Sequence, residues 1–326
     1  MPIIEIEGLS KSYRTYQKKE GLLASVRGLF RRTFKEVHAV RSIDLTVEQG
    51  EFVAFLGPNG AGKTTLIKTL LGFVKPASGS ATILGKSVLK EGAAVRQKVG
   101  LMPEQDCHLP GMSAIEFVAY AGELAGMPQA QSLRRAHEVL EYSGLGEARY
   151  RKVETFSTGM KQRIKLAQAL VHGPKLLLLD EPTNGLDPRG REEMLKLIRD
   201  ISLHKDVNVI VSSHILRDIE KTCESVIVVV KGQLRMQGSI KDLTRIQGHP
   251  IDVELKDPSP AWQEAIARRG ISLVHIERNK TRVHHEAPTE VKTKLIFEAA
   301  REAGAEIRGI NVATKSLEEA FLEVIH

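Results

Sequence analysis

The chain has 326 residues, of which 42% are hydrophobic and 27% charged, with a formal net charge of +7. This length allows about two domains with their own cores, and the composition excludes a disordered or fibrous protein. The apolar runs have strand length and fall short of the roughly 18–20 residues that span a bilayer, so a membrane-spanning segment is not expected. The N-terminus lacks a charged region followed by an apolar core, so no signal peptide is expected. Cys107 and Cys223 show neither metal-site spacing nor a disulfide framework, which fits a reducing compartment.

Most of the excess positive charge lies in residues 14–36. Seven Lys and Arg against two Glu place +5 of the net +7 there. Apolar residues recur in this stretch at the spacing of one helix face, at Leu22, Leu23, Val26, Leu29 and Phe30. The pattern predicts a short basic amphipathic helix. Three interpretations stay open: contact with a membrane subunit or an anionic membrane surface, packing on its own domain, and nucleic-acid binding, which the lack of an aromatic platform disfavours.

A glycine-rich run at residues 57–65 matches the phosphate-loop pattern G-x-x-x-x-G-K-[ST]. The preceding Phe52–Leu56 reads as a buried strand and the following Thr65–Leu71 as a helix. Glycines let backbone N–H groups turn toward phosphate oxygens, and the helix start adds positive potential. We therefore expect a nucleotide site in which Lys63 reaches the β- and γ-phosphates and Thr64 holds Mg²⁺. The expected binding residues are Gly57, Pro58, Asn59, Gly60, Ala61, Gly62, Lys63, Thr64 and Thr65. The alternative is a glycine-rich turn with one exposed lysine.

Residues 105–172 have a helical pattern. Ser113 and Glu116 form a capping box, and Ile115, Val118, Ala119 and Leu124 follow as an apolar stripe. Farther along, Ser157 is a good N-cap for a helix that continues to Leu170, and Gly159 leaves the first-turn N–H groups accessible.

Four leucines at residues 176–179 end in the carboxylates Asp180 and Glu181. A fully apolar strand is typical of the centre of a parallel sheet, and ligands bind at the carboxyl ends of such strands. Asp180 is therefore expected to position Mg²⁺, and Glu181 to polarise the attacking water. The alternative, that Asp-Glu-Pro simply ends a strand, is disfavoured by the phosphate loop upstream.

Five motifs, in this order and spacing, resemble those of ABC-type ATPase subunits over roughly residues 3–235. They are the phosphate loop, residues 156–160, Asp180–Glu181, residues 184–187 and Ser213–His214. The resemblance implies an α/β P-loop ABC-type nucleotide-binding domain, with a mixed sheet core and a helical subdomain at 105–172. It also implies a head-to-tail dimer in which Ser157 and Gly159 of one copy bind the γ-phosphate of ATP held by the other.

The same resemblance assigns further roles. Asp187 matches the loop residue that links the two sites across the dimer, His214 the switch histidine at the γ-phosphate, and Tyr13 the aromatic residue that stacks on adenine. A structural role for His214 at a strand end stays open as an alternative. The sequence departs from the usual signature, since Thr158 and Met160 replace a Gly and a Gln. It also departs by an expected insertion, residues 14–36, between Tyr13 and the next strand.

A further departure concerns the glutamine that the family places before the segment coupling to the membrane subunit. Glu104 stands at that position with Gln105 next to it, and either can ligate Mg²⁺ through oxygen.

The nucleotide-binding domain is expected to span 1–238, with a second domain at 239–326. The predicted order β-α-β-β-α-β in that domain indicates a small ferredoxin-like α+β fold with an appended helix. Ser316–Phe321 resemble the segment that closes the C-terminal domain of ABC exporter subunits of the second export class. His284 and His285 are expected as exposed strand residues rather than metal ligands.

The resemblance implies an ATP-binding and ATP-hydrolysing exporter subunit with ATP and Mg²⁺ as cofactors. Its expected partners are an integral membrane permease and a second copy or a second ABC ATPase. It would lie at the cytoplasmic face of the plasma (inner) membrane. The alternatives are a nucleotide-sensing regulatory ATPase and a soluble ABC ATPase acting on nucleic acid or ribosomes. The latter usually carry two nucleotide domains, a coiled-coil insertion or zinc cysteines, so no nucleic-acid partner is expected. The transported substrate is left open.

Overall fold

The computed structural model describes residues 2–16, 34–204, 207–257, 259–277 and 279–325. The chain divides after Ile240 into two compact units. None of the helices within these ranges combines the length and the apolar character needed to cross a lipid bilayer.

The first unit combines two sheets with a set of helices. Its strands are β1 (Pro2–Tyr16), β2 (Phe34–Glu48), β3 (Phe52–Leu56), β4 (Ser78–Ile83), β5 (Lys86–Ser87), β6 (Val99–Met102), β7 (Leu176–Asp180), β8 (Asn208–Ser212), β9 (Ser225–Val230) and β10 (Gln233–Ser239). Its helices are α1 (Lys63–Leu70), α2 (Gly92–Arg96), α3 (Ala114–Leu124), α4 (Gln129–Tyr142), α5 (Thr158–Leu170), α6 (Pro188–His204) and α7 (Leu216–Thr222), with α8 (Ile240–Leu243) at the division between the units.

The central sheet has six strands in the order β10-β9-β3-β8-β7-β6. All neighbours are parallel except the edge strand β10, which runs antiparallel to β9. Every residue of β3, β7 and β8 is buried, because helices cover both faces of such a sheet. The predicted central strand of four leucines is thus confirmed, and the carboxyl ends of the parallel strands share one edge of the sheet.

The second sheet is antiparallel, with the order β2-β1-β4-β5. Tyr13 pairs with Val37 and Tyr16 with Phe34. Strands β1 and β2 therefore extend into both ends of residues 14–36, the expected insertion. The expectation that the insertion begins directly after Tyr13 is therefore wrong at its ends. The predicted amphipathic helix, Leu22–Phe30, lies outside the described residues.

The helices α3, α4 and α5 form a layer beside the central sheet. The predicted capping box is confirmed, because the Ser113 N–H donates to Glu116 Oε2 at 2.8 Å and Ser113 Oγ accepts from the Glu116 N–H at 3.4 Å. The predicted stripe is wrong at Leu124, which is 71% exposed in the last turn of α3.

The second unit is a small α+β domain. Its elements are β11 (Ile251–Leu255), α9 (Pro260–Ala267), β12 (Ser272–Glu277), β13 (Lys280–His284), α10 (Thr289–Ala303), β14 (Ile307–Val312) and α11 (Leu317–Ile325). The sheet order β12-β13-β11-β14, antiparallel throughout, confirms the predicted ferredoxin-like arrangement. Trp262, Ile266 and Ile296 of the helices pack on Val253 and Val283 of the sheet to form its core.

Candidate functional site

The strands β3, β6, β7 and β8 end at the same edge of the central sheet, and the loop after each of them supplies polar groups to one open cavity. The cavity has a volume of about 560 Å³. It is lined by Ala39, Asn59, Gly60, Ala61, Gly62, Lys63, Thr64, Thr65, Glu104, Asp180, Glu181, Asn184 and His214. Its position follows the general rule that open parallel sheets bind ligands beyond the carboxyl ends of their strands.

The phosphate loop needs glycine at two positions for steric reasons. A Cβ added to Gly57 would overlap the carbonyl oxygen of Val229, and one added to Gly62 would overlap that of Ala39. Gly62 also has φ = +105°, which L side chains rarely adopt. The backbone of this loop therefore lies closer to its neighbours than any side chain would allow.

The helix α1 starts directly behind these glycines. The first N–H that bonds back along it is that of Leu66, which donates to the Gly62 carbonyl at 2.9 Å. Within the described part of the chain, the N–H groups of residues 62–65 have no backbone acceptor. Four free donors and the positive end of the helix dipole make this helix start a binding site for a phosphate-like anion.

Lys63 supplies a cation beside these donors. Its side chain is only 8% exposed, and Nζ donates to the Gly57 carbonyl at 2.6 Å. Burial lowers the pKa of Lys63, while the carboxylates of Glu181, Asp180 and Glu104 raise it by less. The Lys63 ammonium therefore lies within the loop and donates to a loop carbonyl, whose place as acceptor a phosphate oxygen can take.

Asp180 is held from two sides. Thr64 Oγ1 donates to Asp180 Oδ2 at 3.0 Å, and Ser212 Oγ donates to Asp180 Oδ1. A hydroxyl and a carboxylate oxygen are hard ligands of the kind that Mg²⁺ prefers, so the two groups assigned to the metal fit it.

Ser212 was missed by the sequence analysis. The signal available was its place at the end of a fully apolar strand, and β8 pairs in parallel with β7 so that Ser212 lies beside Asp180.

Glu181 and His214 meet at the cavity wall. His214 Nδ1 lies 2.9 Å from Glu181 Oε2. Glu181 is 7% exposed, and burial raises the pKa of its carboxyl, although His214 and Lys63 lower it by a smaller amount. Its backbone has φ = +50°, a conformation that costs a non-glycine residue on the order of 1–3 kcal/mol. The Glu181 N–H donates to the Ser212 carbonyl at 3.1 Å, which holds this turn in place.

The structure distinguishes between the two candidate ligands, Glu104 and Gln105. Both are described, and Glu104 lines the cavity whereas Gln105 does not. Of these two residues, Glu104 is the one whose position allows contact with a ligand in the cavity.

The predicted signature residues do not line the cavity formed by their own chain. Ser157 caps α5 by accepting the Met160 N–H at 3.4 Å, and Gly159 follows in the first turn. Asp187 is exposed and caps α6, because its Oδ1 accepts the Gly190 N–H at 3.0 Å. These three residues are exposed or half-exposed outside the cavity lining.

Tyr13 also lies outside the cavity lining. It is exposed on β1, with Lys11 Nζ 5.2 Å from the centre of its ring. Its cross-strand partner Val37 lies two residues from Ala39, which lines the cavity.

Comparisons with known proteins agree with this geometry. Residues 40–184 match the ABC transporter family model. The chain is 32% identical to the uncharacterized ABC transporter ATP-binding protein YxlF of Bacillus subtilis, over 99% of this chain and 100% of YxlF. It is also 32% identical to the bacitracin transport ATP-binding protein BcrA of Bacillus licheniformis, over 88% of this chain and 92% of BcrA.

A solved structure of the ATP binding subunit of an ABC transporter has a TM-score of 0.61 and 26% identity to this chain, covering 74% of it and 91% of the solved chain. The phosphate loop, the carboxylates after β7 and the relatives point to the same conclusion. The chain belongs to the ABC transporter ATP-binding proteins and is an ABC-type ATPase.

Proposed function

We propose that two copies of this chain, or this chain and a second ABC ATPase, close on Mg·ATP and hydrolyse it to drive export through a separate integral membrane permease. The observation that carries the proposal is the separation of two surfaces within one chain. The cavity holds Lys63, Asp180, Glu181 and His214, whereas Ser157 is exposed elsewhere.

A second copy would complete each cavity. Ser157 and Gly159 present a hydroxyl and free first-turn N–H groups at the positive end of α5, which suits the γ-phosphate of ATP bound to the other copy. Asp187, exposed at the start of α6, would lie between the two sites. Closure of the dimer then shields the reacting phosphate from bulk water and leaves only the attacking water molecule beside it.

The chain's own groups divide the chemistry between them. The N–H groups of residues 62–65 and the ammonium of Lys63 bind the β- and γ-phosphates and stabilise the negative charge that develops during transfer. Thr64 and Asp180 would hold Mg²⁺, which supplies charge neutralisation at the phosphates when it is bound. Glu181 accepts a hydrogen bond from the attacking water and orients it, and His214 fixes the Glu181 carboxylate at the cavity wall. Glu104 reaches the same cavity, and Tyr13 offers a face to adenine.

The relatives support a role in transport. BcrA is a bacitracin transport protein by name, and the chain matches 92% of its length. Export through a permease would place this chain at the cytoplasmic face of the plasma membrane, held there by the membrane subunit. The second unit would then act as an accessory or regulatory domain, since every residue that lines the cavity lies in the first unit.

Two substitutions test the proposed chemistry. Glu181→Gln keeps the shape of the side chain but removes the carboxylate, so it should bind ATP, dimerise and scarcely hydrolyse. Lys63→Ala should lose ATP binding. Unchanged turnover in the first variant, or retained affinity in the second, would remove those residues from their assigned roles.

The partner is tested by purifying the full chain from its own membranes. We expect a multi-span membrane protein to co-purify in constant ratio. Recovery of nucleic acid or ribosomes in its place would favour the soluble class of ABC ATPases.

A further inference from the structure

One face of α5 carries polar side chains that reach the segment between β6 and the cavity. Lys161, Lys165 and Gln168 are spaced i, i+4 and i+7, so they form a single stripe on the helix. Gln168 Nε2 donates to the Leu101 carbonyl at 2.7 Å, and Lys161 Nζ lies 3.7 Å from Asp106 Oδ2. The side chains of the stripe therefore contact both ends of the segment 101–106.

Lys165 makes the central contact of this stripe. Its Nζ donates to the Glu104 carbonyl at 2.8 Å and to the Pro103 carbonyl at 3.1 Å. The side chain is only 2% exposed. Burying an ammonium is unfavourable unless its hydrogens find acceptors, so the two carbonyls and Lys165 fix one another's positions. The residue whose carbonyl is held, Glu104, is also the one whose side chain lines the cavity.

The same helix contacts a second loop at the cavity. Gln162 Nε2 donates to the Asn184 carbonyl at 2.9 Å, and Asn184 lines the cavity too. The helix begins at Ser157, eight residues before Lys165, or about 12 Å along its axis. One rigid element thus holds two loops of its own nucleotide site and presents the signature residue proposed to serve the other copy.

We propose that Lys165 is a positioning residue for ATP hydrolysis, which holds the main chain of Glu104 so that the Glu104 carboxylate stays at the cavity. Because Lys165 and Ser157 belong to the same helix, this contact also fixes the distance between Glu104 and Ser157. This inference rests on the function proposed above. Lys165 does not touch the nucleotide, and it acts through Glu104.

Lys165→Met tests this role, because methionine keeps much of the apolar stem and removes all three donors. The chain offers a matched control in its second unit. Lys292 is 1% exposed, and its Nζ likewise donates to two carbonyls, those of Gly248 and His249. Lys292→Met therefore removes an equivalent buried contact far from the ATP chemistry in sequence and in a separate unit.

Both variants should lower the melting temperature of the full chain. Only Lys165→Met should lower kcat, by about tenfold, with the KM for ATP changed less than about threefold, because the phosphate loop is intact. An equal loss of kcat in Lys292→Met would overturn the proposal, since it would show that lost stability alone reduces turnover.

A double-mutant cycle separates positioning from general damage. If Lys165 acts through Glu104, Lys165→Met should have no further effect on kcat in a Glu104→Ala chain. The same fold loss in both backgrounds would contradict the proposal. Should Lys165→Met fail to fold, Gln168→Leu removes the neighbouring contact of the stripe and is measured in the same cycle, with the same criterion.

Turnover by the wild-type chain and its loss in Glu181→Gln are measured in parallel. Absence of wild-type hydrolysis would overturn the proposed function, and the role of Lys165 with it. Normal wild-type hydrolysis together with equal losses in both backgrounds would overturn the role of Lys165 alone.

Discussion

His214 Nδ1 lies 2.9 Å from Glu181 Oε2, and this contact joins the loops that follow two neighbouring parallel strands. The glutamate side chain is buried, whereas the imidazole is half-exposed at the cavity. A bound phosphate can therefore meet the histidine while the histidine holds the carboxylate. The pair gives Glu181 one orientation in a turn whose backbone is left-handed.

This pair predicts the acid limb of the pH profile. Burial raises the pKa of Glu181, and His214 is among the groups that lower it. Since Glu181 must be ionised to orient water, kcat should fall on acidification at a pH above that of an ordinary glutamate. His214→Ala should move this limb to still higher pH, measured as kcat against pH at saturating ATP. A limb that stays in place in the variant would contradict the coupling.

The raised pKa of Glu181 also predicts a change in stability. The folded chain binds this proton more tightly than the unfolded chain, so ionisation of Glu181 lowers stability as pH rises through the interval above its ordinary value. Glu181→Gln should therefore unfold at the same temperature as wild type, or higher, at neutral pH. Thermal unfolding without nucleotide checks this, and a lower melting temperature would argue against a buried charge.

Glycine 57 is predicted to be irreplaceable on steric grounds. Gly57→Ala brings a Cβ onto the Val229 carbonyl, so we expect loss of ATP binding, of folded protein, or of both. Gly238→Ala is the matched control, because a Cβ there meets nothing within 4 Å. Nucleotide affinity and melting temperature should be near wild type for the control. Equal behaviour of the two variants would contradict the tight approach of loop and strand.

Ser212 should support Mg²⁺ use without touching ATP. Ser212→Ala removes the hydroxyl that donates to Asp180 Oδ1, leaving a buried carboxylate oxygen unpaired at a cost of about 1–3 kcal/mol of unfolding free energy. Asp180 would lose part of its orientation, so kcat should fall and the Mg²⁺ concentration for half-maximal rate should rise. A Mg²⁺ titration of ATPase activity measures both, and an unchanged titration would remove Ser212 from this role.

The second unit holds an ion pair whose loss should affect stability alone. Arg282 donates to both carboxylate oxygens of the buried Asp252, at 2.7 and 3.1 Å. Lys280 Nζ lies 3.5 Å from Asp252 Oδ2. Arg282→Met should cost about 1–3 kcal/mol of unfolding free energy. ATP hydrolysis should persist below the new melting temperature, and a proportional loss of kcat would mean that this unit governs the nucleotide site.

The pH dependence of this effect has a fixed sign. Burial raises the pKa of Asp252, but Arg282 and Lys280 lower it by more, so the pKa lies below its ordinary value. The stabilisation is therefore present above the ordinary aspartate pKa and disappears as pH falls through the lowered one. Wild type and Arg282→Met should converge in melting temperature at strongly acidic pH.

Local patterns in the sequence located much of the site. The phosphate loop, the strand ending at Asp180 and the cap at Ser157 each depend on residues close together in the chain, so spacing identifies them. Alternation and capping also gave the order of elements in the second unit, because each of those elements has one buried face.

Contacts between residues far apart in the chain could not be predicted from the sequence. The pairing of Ser212 with Asp180 depends on strand order, and the choice of Glu104 over Gln105 depends on which side chain faces the cavity. The exposure of Leu124 depends on where the helical layer ends, which local periodicity does not encode. Lys165 looks in sequence like one more cation on a polar helix face, and only the fold buries it against two carbonyls.

The central claim is that ATP bound by one chain is hydrolysed only when a second copy closes over the nucleotide. The most direct test measures ATP hydrolysis per chain over a wide range of protein concentration, with the molecular mass followed by sedimentation in the same samples. The account predicts that hydrolysis per chain rises with concentration and follows the fraction of dimer, and that Glu181→Gln accumulates as an ATP-dependent dimer. Constant hydrolysis per chain by a species that sediments as a monomer at every concentration would contradict it.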